Sequence, residues 1–215
     1  MKNLRVLSVF CLLFYAVSLS GQISNNGKTI SLSPKSSTFL NAKNDTISST
    51  EYSSLLNSGL FITSFSVSGD SHYTIRLDST ELVKLVGCQS PVLEFGLHNG
   101  KKFILDQKNI YVIVFWGTGC KPCVREMDDL IQASHKNKMV KYLFITNDDE
   151  PKAIGFLKER IRLINLVTSA SVMAKSFRVD NLPTTFFIAR GKMIRHIVVG
   201  PVVNKINDLI KELAD

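Results

Sequence analysis

The sequence predicts an α/β fold, with a central mixed sheet flanked by helices and a small N-terminal α/β appendage. From Gly87 onward, apolar runs of strand length alternate with longer amphipathic helical patterns, which is typical of βαβ units. Residues 111–116 are continuously apolar, as expected for a central strand buried on both faces. Helical spacing of apolar residues predicts a final helix through Val203, Ile206, Leu209, Ile210 and Leu213.

Length, composition and charge limit the class of protein. The chain has 215 residues, 45% hydrophobic and 20% charged, so it can bury a core without disulfide support. The formal net charge is +8, but lysines and arginines are scattered among apolar residues instead of forming a basic stripe interleaved with aromatic residues. A nucleic-acid partner is therefore not predicted.

The first 21 residues predict a secretory signal peptide. Lys2 and Arg5 form a charged start, residues 6–17 are almost wholly apolar, and residues 18–20 provide small side chains for cleavage. The apolar run is shorter than the roughly 20 residues of a spanning helix, so cleavage is favoured over an uncleaved anchor. We therefore expect a protein of the periplasm or cell envelope, which contacts the membrane only through the signal segment if that segment is retained.

Residues 22–86 predict an N-terminal extension that contains the appendage. Its first part is rich in Ser, Asn, Thr and Lys and is expected to be extended or weakly ordered. A short capped helix begins near Ser49 and is ended by Gly59. Two alternating runs, residues 61–67 and 73–77, predict a pair of strands.

Residues 87–215 are predicted to form the main domain. It opens with a hairpin whose turn contains Asn99 and Gly100, because Asn-Gly is a strong hairpin signal. The later elements are expected in this order: strand 111–116, a helix from about residue 121, strand 142–146, a helix capped within residues 147–149 with Pro151 in its first turn, strand 161–167, helix 170–177, strands 186–189 and 193–199, and the final helix.

The motif Cys-Lys-Pro-Cys, from Cys120 to Cys123, lies where the buried strand gives way to a helix. Unpaired amides and the positive end of the helix dipole favour a thiolate there, and Lys121 adds a positive charge. In such motifs the nucleophilic thiol has a pKa of roughly 3.5–7.5, against about 8.5 for a free thiol. We predict that Cys120 attacks and that Cys123 resolves the mixed disulfide.

The same cysteine spacing also occurs in half of a structural zinc site, which needs four ligands. The other half is missing, because the four histidines stand singly and Cys88 is the only other cysteine once Cys11 leaves with the signal peptide. Redox chemistry is therefore favoured, Cys88 is expected to be unpaired, and neither a metal nor another cofactor is predicted.

Three further residues are candidates for the site. Glu126 follows Cys123 by three residues, so the two share a helix face, and a buried carboxyl there would relay a proton; the alternative is an ordinary solvated glutamate. Pro183 begins a strand after a tight turn, and its preceding peptide bond is either cis or trans. Trp116 is a core strand residue or a wall of the site, and the wall is favoured because Cys120 lies only four residues later.

Together these residues resemble the exported thioredoxin-like family of TlpA/ResA type over residues 87 to about 213. The matching motifs are Pro-Val-Leu-Glu-Phe (91–95), Asn-Gly-Lys (99–101), Phe-Trp (115–116), Cys-Lys-Pro-Cys (120–123), Glu126, Leu-Pro-Thr-Thr-Phe-Phe-Ile (182–188) and Gly-Lys (191–192). The resemblance implies a thioredoxin-like fold, a redox pair at Cys120 and Cys123, Glu126 as the active-site acid, and a cis Pro183 that faces the disulfide. We expect Trp116, Lys121, Pro122 and Leu182 to contact the substrate.

Two positions depart from the family pattern. Gly119 stands where relatives usually carry Trp, which changes the apolar surface that meets a partner. Val114 stands where thioredoxins have a buried Asp and many relatives an Asn. Glu126 is then the only acid near the pair that the sequence nominates.

The expected function is reduction of disulfides in exported proteins, with electrons from an upstream thiol donor in the membrane. A disulfide oxidase would use the same residues, since the reduction potential sets the direction. A thiol peroxidase would carry Pro-x-x-x-Thr-x-x-Cys, whereas Ile113 and Gly117 occupy those places. A copper metallochaperone would bind Cu(I) through the thiolates, but its relatives space the cysteines by three residues and add a histidine.

Overall fold

A computed structural model describes residues 21–25, 28–32, 37–68, 72–136, 140–202 and 205–214. The predicted signal-peptide features at residues 2–20 lie outside this part of the chain, as does Val203. Two units are present: one contains Met1–Asn57 and Phe61–Ser79, and the other contains Ser58–Leu60 and Thr80–Asp215. Over the described ranges, none of the helices has the length and apolar character needed to cross a membrane.

The bounds of the regular elements are as follows. The strands are β1 (Gly21–Asn25), β2 (Lys28–Leu32), β3 (Ser37–Leu40), β4 (Thr46–Ile47), β5 (Phe61–Ser68), β6 (His72–Ser79), β7 (Glu94–Gly96), β8 (Lys102–Ile104), β9 (Ile110–Trp116), β10 (Val140–Thr146), β11 (Leu166–Val167), β12 (Thr184–Ile188) and β13 (Ile194–Val199). The α-helices are α1 (Ser49–Asn57), α2 (Lys121–Lys136), α3 (Glu150–Leu157), α4 (Ser171–Ser176) and α5 (Ile206–Ala214).

The smaller unit holds the predicted strand pair, β5 and β6, which run antiparallel along their whole length. These strands belong to a four-stranded sheet of order β4-β3-β6-β5, and β1 and β2 form a separate hairpin. The first part of the extension is thus extended, as expected, but it is also paired into strands that its composition does not indicate. Tyr52 of α1 packs with Ile75 and Leu77 to form the core of this unit.

The division between the units falls after Ser79, seven residues before the predicted boundary at residues 86 and 87. Leu82 and Leu85 explain the difference, because both are buried in a core cluster of the larger unit. The backbone amide of Gly87 then donates to the carbonyl of Ile194 at 2.8 Å, which ties the segment to β13.

The larger unit is built on a five-stranded mixed sheet of order β11-β10-β9-β12-β13. Strand β9 is central: β10 pairs with it in parallel and β12 in antiparallel orientation. Every residue of β9 is buried, which agrees with its continuous apolar sequence. The predicted central mixed sheet flanked by helices is confirmed.

Two apolar layers cover the faces of this sheet. One layer contains the buried side of α2, including Met127 and Leu130, together with α5. The other contains Phe177, after α4, and Phe95 and Phe103 of the β7–β8 hairpin. Helix α2 is thereby held against the sheet with its first turn at the carboxyl end of β9.

The predicted strand at residues 161–167 is largely wrong. Lys158–Leu163 is a 3-10 helix, and only Leu166–Val167 pairs as β11. Ile161 within this short helix and Ile164 just after it are partly buried against the core, so their apolar character does not require a strand. Arg160 faces outward and forms a bidentate salt bridge with Asp128 of α2, with nitrogen–oxygen distances of 2.6 and 2.8 Å.

Candidate active site

Cys120 and Cys123 form a disulfide at the junction of β9 and α2, with their Cα atoms 5.3 Å apart. Cys120 directly precedes the helix, and its carbonyl accepts the first helical bond from the amide of Val124 at 3.1 Å. The Cys120 sulfur accepts the amide hydrogen of Cys123 at 3.2 Å. This sulfur thus occupies the place of a helix-capping acceptor, where the helix dipole favours negative charge.

The two sulfur-bearing residues differ in accessibility. Cys123 is only 1% exposed and belongs to the core cluster beneath the sheet, whereas Cys120 is partly exposed. An approaching sulfur of a partner protein therefore meets Cys120 first. Lys121, which is exposed, and Pro122, which is partly exposed, directly follow Cys120 in the chain.

Glu126 is buried behind the pair, with 2% of its surface exposed. Its Oε2 accepts the amide hydrogen of Val202 at 2.8 Å, while Oε1 has no hydrogen-bond partner within the described part of the chain. Burial raises the pKa of Glu126 to about 7; the bond from Val202 opposes this shift and the charge of Asp129 reinforces it. Glu126 is thus not the solvated glutamate of the alternative interpretation.

The peptide bond between Leu182 and Pro183 is cis. Pro183 is buried, and Leu182 is 42% exposed. Because Thr184 at the start of β12 is paired with Phe115, this turn lies beside the end of β9. A Cβ atom placed on Gly117 would lie 3.3 Å from the Leu182 side chain, so Leu182 packs on the loop that leads to Cys120.

Trp116 does not form an accessible wall of the site. Its side chain is 1% exposed and packs against Phe156 with ring centroids 5.7 Å apart. Strand β9 directs alternate side chains into opposite layers, and Trp116 falls in the layer that also contains Cys123. The expectation that Trp116 contacts the substrate is therefore corrected: it supports the pair from the core.

Asp148, one of three residues predicted to cap a helix, contacts the loop that leads to Cys120. Asp149 caps α3 by accepting the amide hydrogen of Lys152 at 2.9 Å. Asp148 instead accepts the amide hydrogen of Thr118, two residues before Cys120, at 2.8 Å. The only signal in the sequence is a carboxylate two residues after the end of β10, the strand next to β9, and this position does not reveal the contact.

Elsewhere, Cys88 is a free, exposed cysteine, as expected, and its thiol donates to the carbonyl of Lys84 at 3.2 Å. In the part of the chain described above, no three His, Cys, Asp or Glu side chains converge in a way that would hold a metal ion.

Known proteins that resemble this chain in sequence are thiol-disulfide oxidoreductases. Thiol-disulfide oxidoreductase ResA of Bacillus thuringiensis subsp. konkukian is 28% identical over 135 residues, covering 60% of this chain and 78% of that protein. ResA of Geobacillus kaustophilus is 31% identical over 96 residues, covering 42% and 55% of the two chains. No protein-family model matches the chain.

Solved structures show the same fold. A thiol:disulfide interchange protein of the thioredoxin family from Chlorobium tepidum has a TM-score of 0.53 at 19% identity, covering 59% of this chain and 96% of that one. An exposed lipoprotein thioredoxin of Streptococcus pneumoniae has a TM-score of 0.51 at 17% identity, covering 56% and 98%.

The chain therefore has a thioredoxin-like fold, carries a disulfide at a strand–helix junction, and is similar in sequence to thiol-disulfide oxidoreductases. Within that class, the curated relatives support the resemblance to the ResA type that the motifs indicate.

Proposed function

We propose that this protein reduces disulfides of exported proteins, with Cys120 as the attacking thiol and Cys123 as the resolving thiol. The observation that carries the proposal is the asymmetry of the pair: Cys120 is accessible at the start of α2, and Cys123 is buried on the same helix as the buried Glu126. The order of attack follows from this asymmetry, because only the accessible sulfur meets a partner.

In the first step the Cys120 thiolate attacks one sulfur of the partner disulfide. A Cys120–partner bond forms, the partner S–S bond breaks, and the other partner sulfur leaves as a thiolate that takes a proton from solvent. The helix-end amides and the dipole of α2 support the attacking thiolate, and Lys121 adds positive charge nearby.

In the second step Cys123 gives its proton to the Glu126 carboxylate and attacks the sulfur of Cys120. The Cys120–Cys123 disulfide forms and the second partner thiolate is released, so the partner gains two electrons. A pKa of about 7 suits Glu126 to this role, since near neutral pH it is ionised in part and accepts a proton readily.

The direction of electron flow is also supported by Glu126. A carboxylate buried near Cys123 disfavours the thiolate form of that residue, so the reduced pair gains no stabilisation from ionisation of Cys123. Strong oxidants have a stabilised reduced form, and withholding such stabilisation at Cys123 favours use as a reductant. The exposed Leu182, with Pro122, would receive the partner chain beside Cys120 while the cis Pro183 faces the pair.

The protein is proposed to act in the periplasm or cell envelope and to be re-reduced by a thiol donor in the membrane. The charged start and apolar run of residues 2–17 support export. The smaller unit, which lies largely within the predicted extension of residues 22–86, is proposed to be an appendage to a catalytic domain within residues 87–215.

The test combines reductase activity, the reduction potential of the Cys120–Cys123 pair and the redox state of that pair in the cell. Insulin reduction with dithiothreitol is expected for the wild type and lost in Cys120→Ser, while Cys123→Ser should accumulate mixed disulfides on non-reducing gels. The matched control is Cys88→Ser, which should be fully active. The reduction potential should be about −270 mV, and thiol trapping in cells should find the pair mainly reduced. A potential of about −120 mV together with an oxidised pair would show that the protein is an oxidase.

A further inference from the structure

Asp148 holds the backbone of the loop that carries Cys120. This loop, residues 117–119 between β9 and α2, contains two glycines, and a Cβ atom placed on Gly119 would have no neighbour within 4 Å. The Oδ2 atom of Asp148 accepts the amide hydrogen of Thr118 at 2.8 Å. The amide of Cys120 in turn donates to the carbonyl of Gly117 at 3.1 Å. The turn before Cys120 is therefore held both by this internal bond and by the bond from Thr118 to Asp148.

The carboxylate is itself held in place. The hydroxyl of Thr146 donates to Oδ2 at 3.2 Å and accepts the amide hydrogen of Asp148 at 3.1 Å. Lys152 pairs with Oδ1. The carbonyl of Asp148 accepts the amide hydrogen of Ser169 at 2.9 Å, and the side chain is only 15% exposed. These contacts hold the Asp148 carboxylate in the orientation in which Oδ2 accepts the amide hydrogen of Thr118.

Leu182 also packs on this loop. A Cβ atom on Gly117 would lie 3.3 Å from Leu182 Cδ1 and 3.8 Å from Asp148 Oδ2, so both side chains lie close to Gly117. Leu182 precedes the cis Pro183. The hydrogen bond from Thr118 thus holds the loop beside the turn that is proposed to receive the partner.

We propose that Asp148 is a positioning residue for Cys120, acting as a hydrogen-bond acceptor for the active-site loop. This inference rests on the proposed exchange chemistry and goes beyond it by naming what places the nucleophile. The acceptor atom matters more than the charge, because Lys152 already pairs with the other oxygen. An asparagine oxygen in the same place would accept the same amide hydrogen.

Three variants of the full chain test this assignment in the insulin-reduction assay. Asp148→Ala leaves the Thr118 amide without its acceptor and should lower kcat/KM about tenfold or more, since small displacements of a reacting group are costly. Asp148→Asn should restore kcat/KM to within about twofold of the wild type, because it keeps the acceptor. Asp149→Ala removes a neighbouring carboxylate of equal charge and should lower the melting temperature while leaving kcat/KM unchanged.

The outcomes separate this proposal from the proposed function. If the wild type has no reductase activity, the proposed function fails. If the wild type is active and Asp148→Ala equals it, or Asp148→Asn is as impaired as Asp148→Ala, the acceptor role of Asp148 is wrong. Should Asp148→Ala not fold, Thr146→Val keeps the carboxylate but removes the hydroxyl that orients it, and a several-fold loss of kcat/KM is expected. Wild-type kcat/KM in Thr146→Val would then overturn the proposal.

Discussion

Replacing Glu126 by glutamine should change how stability depends on pH. The carboxyl is 2% exposed, and burial raises its pKa from the ordinary 4.5 to about 7. Above pH 4.5 the unfolded chain releases this proton, but the folded chain keeps it until pH 7. The folded state then binds more protons, so stability falls as the pH rises through this window and the loss is complete above it.

The size of this effect follows from the two values. A carboxyl with a pKa near 7 in the folded state and 4.5 in the unfolded state costs the folded state about 3 kcal/mol at alkaline pH. Glutamine does not titrate, and its buried amide adds a penalty that is the same at every pH. The stability of Glu126→Gln minus that of the wild type should therefore rise by about 3 kcal/mol between about pH 4.5 and 8.

Urea unfolding of the oxidised protein at several pH values measures this difference without the titration of Cys120 and Cys123. Asp129→Asn provides a matched control, because Asp129 is one of the groups that raise the pKa of Glu126. In that variant the stability loss should be smaller and should be complete at a lower pH. A difference between Glu126→Gln and the wild type that stays constant from pH 4.5 to 8 would refute the reasoning from burial.

Three further substitutions test the packing of the fold by chemical denaturation. Phe177→Ala should lower the free energy of unfolding by about 3–5 kcal/mol, because this fully buried ring contacts three other phenylalanine rings; a loss below about 1 kcal/mol would contradict the assigned core. Gly59→Ala should cost about 2 kcal/mol or more, since Gly59 has a φ of 72° and a Cβ atom there would overlap Val199; unchanged stability would show that this backbone relaxes. Tyr142→Phe should stabilise the protein by about 1 kcal/mol, because the buried hydroxyl has no partner in the described structure; destabilisation would mean that the hydroxyl is bonded.

Local patterns in the sequence were sufficient for much of the fold. The continuous apolar run of β9 predicts a strand buried on both faces, and the Asn-Gly turn predicts the β7–β8 hairpin. Residues 161–167 show where such patterns fail. The run begins in a 3-10 helix that has no fully buried residue, and only its end, Leu166 and Val167, is a buried strand. A short apolar run has no period that separates the two structures.

The sequence by itself determined the chemistry of this protein: two cysteines with two residues between them, placed at the junction of a buried strand and a helix, with Glu126 one turn further on. Only the tertiary structure decided how that chemistry is tuned. The bond from Val202 to Glu126 spans 76 residues, and the bond from Thr118 to Asp148 spans 30. Such contacts depend on which loops the sheet brings together, and no local spacing encodes that. The same holds for Trp116, which is buried against Phe156 of α3.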